Sequence, residues 1–179
     1  APPGIFNERI ATYEIGLMLI KKQFPQYTSK LTHLRDLDAN TLSIDTASIY
    51  HMLKTLPERM TRDEILNALP EHTARLNTLF APHSDPKEGY RMRQVVLFGL
   101  AECARGAQCK DLLESGNISG FGELKYLSHD GDRQFRYAPD GTETQVENRT
   151  TDTDLDRLIT DLESGDHTRI QNAQIHRQP

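Results

Sequence analysis

The chain has no tryptophan, and aromatic residues make up only 7% of its 179 positions. Apolar residues reach 36%, below the usual globular share. They cluster with clear periods, so a core can form, but it is expected to be thin. No run of about eighteen apolar residues occurs, which excludes a spanning helix. Positive charge is not in excess either: 21 Lys and Arg face 26 Asp and Glu, for a net charge of -5. That balance recommends neither nucleic acid nor an anionic membrane as a partner. The only cysteines are Cys103 and Cys109, six positions apart. They are too few for a disulfide framework and read as free thiols in a reducing cytoplasm. The opening "APPGIFNER" has neither the basic region nor the apolar segment of a signal peptide. It also lacks an initiating Met, which fits a trimmed or excised segment. No internal repeat of fixed period appears.

What is present is mostly helical periodicity. Ile10, Tyr13, Leu17, Ile20 and Phe24 recur at spacings of three and four, which predicts a helix over 5–24 stopped by Pro25. "LTHLRDL" (31–37) reads as a connector, and 41–55 as a helix with Ile49, Met52, Leu53 and Leu56 facing inward. Thr61 and Glu64 form a T-x-x-E capping box ahead of Ile65, Leu66 and Leu69, and a short helix is expected over 71–80. Asp85-Pro86-Lys87-Glu88 is a strong helix-start signal. Met92, Val96, Leu100 and Cys103 then trace a helix to about 105, with another over 107–114. "QFRYAPDGTETQV" (134–146) alternates about Pro-Asp-Gly, a hairpin signal. A last helix begins near 151–153, packs through Leu155, Leu158, Ile159 and Leu162, and stops at Gly165. The polar segment 166–179 is expected to be a mobile tail.

The stretch "SGNISGFGELKYLSHDGDR" (115–133) invites a chemical reading. Its glycines, Gly116, Gly120 and Gly122, match neither the spacing of a phosphate loop nor that of a dinucleotide turn. Asn117 instead caps a helix whose apolar stripe is Ile118, Phe121, Leu124 and Leu127. Ser128, His129 and Asp130 are triad residue types, but triads are assembled from separate segments. His129 therefore stands between two readings, an acid–base residue and a cation at a helix C-terminus. The histidines form no ligand pair with one another or with cysteine, so no metal site is expected. Arg91 and Arg93 read as exposed charges near the start of the long helix.

Three pieces in order resemble the second half of galactokinases, within the GHMP superfamily of small-molecule kinases. "FNER" (6–9) is similar to that family's Tyr-Asn-x-Arg, and "LTHLRDL" to its Leu-Arg-Asp connector. Residues 90–133 are similar to its Arg-Ala-x-His-Val-Val helix followed by Phe-Gly-x-Leu-Met and Ser-His. Phe6 departs from the family Tyr and can neither donate nor accept a hydrogen bond, and Gln94 stands in place of the motif His. The resemblance covers roughly half the chain.

The resemblance implies that residues 1–179 are one mostly helical segment of a larger α+β sugar kinase, with one β-hairpin. It implies ATP-dependent phosphoryl transfer to a sugar hydroxyl by the parent protein, with ATP and Mg as cofactors of the parent. Phe6 and Arg9 would lie nearest the sugar. The family's phosphate loop and catalytic Asp have no counterpart here, so no catalytic residue is assigned and the segment alone is expected to be inactive. A non-catalytic sugar- or protein-binding module on the same scaffold is the alternative. An unrelated helical domain would be favoured if 5–24 and 86–128 did not pack together.

Overall fold

The computed structural model describes residues 3–133, 135–146 and 150–179 and is mainly helical. Helix α1 spans Pro3–Gln23, close to the predicted 5–24. Its buried hydrophobic residues are Ala11, Ile15, Leu17 and Ile20 rather than one stripe, and Ile10 is 43% exposed. The helix is covered from two sides. Leu17 and Ile20 join the larger core with Tyr50, Leu53, Val96, Leu100 and Leu155, whereas Ala11 and Ile15 join a second cluster with Ile65, Leu76, Phe80 and Tyr90. A helix shared by two cores loses the single apolar face that a sequence pattern detects.

The predicted helix over 41–55 is split. Helix α2 (Ala39–Leu42) ends at Ser43, whose φ of 59° is left-handed, and α3 (Thr46–Lys54) restarts behind Asp45. The Asp45 carboxylate accepts from the Ser48 N–H at 2.7 Å, so the break supplies its own cap. Helix α4 (Arg62–Ala68) opens on the expected capping box: Thr61 N–H donates to Glu64 at 2.7 Å, and Glu64 N–H donates back to Thr61 Oγ1. Helix α5 (Thr73–Phe80) follows a short 3-10 turn.

The start signal at Asp85-Pro86 does not open a helix. Gly89 has a φ of +80°, and Tyr90 exchanges backbone hydrogen bonds with Met60, which holds this stretch extended. Asp85 instead accepts from the Tyr90 hydroxyl and pairs with Arg62 at 2.8 Å. Helix α6 begins at Met92 and runs unbroken to Glu114, where two helices were expected. Cys103, expected inward, is exposed, and both cysteines are unpaired.

Helix α7 (Ile118–Asp132) starts as its sequence predicts, with Asn117 Oδ1 accepting from Gly120 N–H at 2.9 Å. Leu124 is buried, but Ile118 is 64% exposed and drops out of the expected stripe. The helix continues through the "SHDGD" that reads as its end. Gly131 belongs there because an added Cβ would come within 2.6 Å of the Pro179 backbone and 3.0 Å of Phe98. Strands β1 (Phe135–Tyr137) and β2 (Glu143–Gln145) form the antiparallel hairpin, with Arg136 opposite Thr144. Residue 134 of the predicted hairpin lies outside the described residues.

Helix α8 (Asp152–Glu163) carries a second capping box, Thr151 with Asp154, and buries Leu155 and Ile159. The expected mobile tail instead folds as α9 (His167–Asn172) and a 3-10 turn at Ile175–Arg177. Its polarity misleads because its links are polar: the buried Tyr50 hydroxyl donates to Ala173 O at 2.7 Å, and Arg105 donates to His176 O and Gln178 O. Among the described residues, no helix is long and apolar enough to cross a membrane.

Arg93, read as an exposed charge, is 5% exposed. Its Nη2 donates to Lys54 O at 2.9 Å, Nε to Leu56 O at 3.0 Å and Nη1 to Thr150 O at 2.9 Å, with Asp152 at 2.8 Å. These are chain-end groups of α3 and of the segment before α8, which need partners when buried. Arg93→Ala is expected to lower unfolding free energy by about 3 kcal/mol, because it orphans three carbonyls and leaves a gap. Urea denaturation followed by circular dichroism checks this; a loss within experimental scatter would refute the role.

Candidate functional site

Three helices line an open cavity of about 470 Å³. Helix α1 contributes Phe6, Arg9, Ile10 and Tyr13, spaced so that all four fall on one face. Helix α6 contributes Phe98 and Glu102, one turn apart. Helix α7 contributes Lys125, Ser128 and His129 with the same three-and-four spacing.

The Arg9 guanidinium lies 5.0 Å from the centre of the Phe98 ring, a cation–π distance. Arg105 approaches the same ring at 5.9 Å. Glu102 is held at both carboxylate oxygens: Ser128 Oγ donates to one at 2.9 Å, and Arg105 Nε donates to the other at 2.6 Å. Phe6 sits at the mouth, 59% exposed. The cavity thus pairs aromatic surface with cations, a fixed carboxylate, a hydroxyl and an imidazole. Apolar faces with a few convergent polar groups are the general make-up of a small-molecule site.

The sequence-selected residues Phe6, Arg9 and His129 all reach this cavity. Ser128, His129 and Asp130 form no triad: Ser128 serves Glu102, and Asp130 pairs with Arg133 at 3.2 Å. Sequence reasoning did not select Tyr13, Phe98, Glu102, Lys125 and Ser128 for this site. Spacing could have found them, because Lys125 is one turn before His129 and Tyr13 is one turn after Arg9. Gln94 does not line the cavity. Among the described residues, no group of three or more His, Cys, Asp or Glu could hold a metal ion.

A second cavity of about 420 Å³ lies between Arg35–Thr46, α6 and the C-terminal turn, and His176 lines it. Gln108 Nε2 donates to His176 Nδ1 at 3.2 Å, a bond that needs the neutral ring. Burial, then Arg177 and Arg105, push the His176 pKa below its ordinary value of 6.5. His83 is also held below 6.5, chiefly by burial; its Nε2 donates to the Tyr90 hydroxyl at 2.9 Å.

No family model matches the chain, and no match was found among curated proteins or solved structures.

Both imidazoles are easier to protonate in the unfolded chain. Their contribution to stability is therefore full above pH 6.5 and is lost as pH falls from 6.5 through their folded pKa values. Urea midpoints measured from pH 7.5 downward, about two pH units in all, are expected to fall, and to fall less in the double variant His83→Gln/His176→Gln. An equal fall in both proteins would count against the two histidines.

Proposed function

We propose that the chain is the sugar-side, mainly helical portion of a galactokinase-like, ATP-dependent sugar kinase, and that the cavity between α1, α6 and α7 holds the sugar. One observation carries this reading. The two residues that the resemblance puts nearest the sugar, Phe6 and Arg9, share a single cavity with His129 from the "LSH" motif more than a hundred positions away. The direct packing of α1 on α6, which buries Leu17 with Val96 in one core, supports it further.

In this reading the aromatic rings cover the C–H faces of the sugar, while Arg9, Lys125, Ser128 and His129 hydrogen-bond its hydroxyls. ATP and magnesium belong to the remainder of the kinase chain, which is the partner that the reading requires. Catalysis would then be positioning: this segment fixes the acceptor, and the other part brings the phosphoryl group to it. A non-catalytic binding module on the same scaffold is the second reading, favoured by Phe6 and Gln94 where the resembled motifs have Tyr and His.

The 179-residue chain is expected to bind a monosaccharide by calorimetry and to release no ADP from ATP with any sugar of a hexose and pentose panel. Robust phosphorylation by this chain alone would overturn the division of labour. Sugar binding without turnover by the full gene product would favour the binding module over the kinase.

A further inference from the structure

We infer that the second cavity, between the Arg35–Thr46 segment, α6 and the C-terminal turn, binds the adenine ring of a nucleoside or nucleotide. It shares no lining residue with the cavity between α1, α6 and α7, so the inference does not rest on the sugar reading. Its volume of about 420 Å³ falls within the range of small-molecule sites, about 300–1,000 Å³. Leu37, Ile49, Leu100 and Ile175 line it with aliphatic side chains, and Ala104 and Ala107 add only methyl groups on the α6 side. Apolar side chains of this kind cover the faces of a flat heteroaromatic base. The charged side chains of the lining, Arg35 and Asp38, are of opposite sign, so the base rather than a phosphate carries the recognition.

Three polar side chains of the lining have their polarity fixed by bonds to the protein. Gln108 Nε2 donates to His176 Nδ1 at 3.2 Å, so His176 carries its proton on Nε2 and Gln108 is left with Oε1 as an acceptor. Burial, the chief cause of its lowered pKa, keeps the His176 ring neutral at pH 7. Gln174 Nε2 donates to Ile170 O at 3.2 Å, which leaves a second acceptor in its Oε1. His176 Nε2 and the two Oε1 atoms have no hydrogen-bond partner among the described residues, and none of the three is sealed from solvent. The lining therefore offers two fixed acceptors and one fixed N–H donor. Adenine presents the complement: an exocyclic amino group with two hydrogens, close to ring nitrogens that accept. Hypoxanthine and guanine put a carbonyl oxygen where that amino group stands, and set acceptor against acceptor.

The test is calorimetry on the 179-residue chain with adenosine, inosine and cytidine, and with Ala107→Phe alongside. Ala107 is exposed on α6, so the larger ring enters the cavity without displacing the core, and an unchanged urea midpoint checks this. Adenosine is expected to bind, and inosine to bind about tenfold more weakly, because its carbonyl leaves a fixed acceptor unmatched. Cytidine carries an amino group beside an accepting nitrogen on a smaller ring, and is expected to bind more weakly than adenosine because it buries less apolar surface. Ala107→Phe is expected to abolish adenosine binding. Equal affinity for adenosine and inosine overturns the inference, and that comparison uses the unaltered chain. Cytidine binding as tightly as adenosine overturns it in favour of an aminopyrimidine site. Absence of adenosine binding, or binding that survives in folded Ala107→Phe, also overturns it, and each of these failures leaves the sugar reading standing.

Discussion

The guanidinium of Arg93 is the constraint around which the rest is arranged. It lies in the first turn of α6 and takes up carbonyls from the end of α3 and from Thr150 just before α8. A buried carbonyl without a partner is costly, and one planar cation satisfies three of them from two distant segments. It thereby fixes where α6 starts relative to α3 and α8. Everything further along that helix inherits the position: Val96 and Leu100 in the core, Phe98 and Glu102 at the cavity, Arg105 at the C-terminal turn.

The cavity follows from three helices each turning one short face inward. A helix repeats its direction every three to four residues, so a few well-spaced positions suffice to build a wall. Glu102 joins the walls, since it accepts from Ser128 on α7 and from Arg105 on its own helix. Arg105 in turn grips the carbonyls of the last residues. Cavity and C-terminal turn are thus two ends of one hydrogen-bonded chain.

The sequence was legible where structure is local. The capping box at Thr61, the helix start near Thr151, the Asn117 cap and the Pro-Asp-Gly hairpin depend on neighbours a few positions away, and each appears as read. It was misleading where distant partners decide. Asp85-Pro86 has every mark of a helix start, yet Met60 captures Tyr90 and holds the chain extended. Segment 166–179 looks too polar to order, yet its carbonyls are the acceptors that Tyr50 and Arg105 need. The site was half visible: motif position selected Phe6 and Arg9 and residue chemistry singled out His129, whereas Glu102 and Lys125 gain meaning only when α6 and α7 lie side by side.

The bond from Tyr50 to Ala173 bridges 123 positions of chain. On a ribosome the chain emerges from its N-terminal end, so α3 and α6 are exposed long before their polar partners exist. Until then the Tyr50 phenol has no acceptor at Ala173, and Arg105 lacks the carbonyls of His176 and Gln178. Closing so long a loop is slow in itself. The larger core is therefore sealed late, by the segment around Ala173 to Gln178, and a nascent chain carries α3 and α6 without that seal until this segment has emerged.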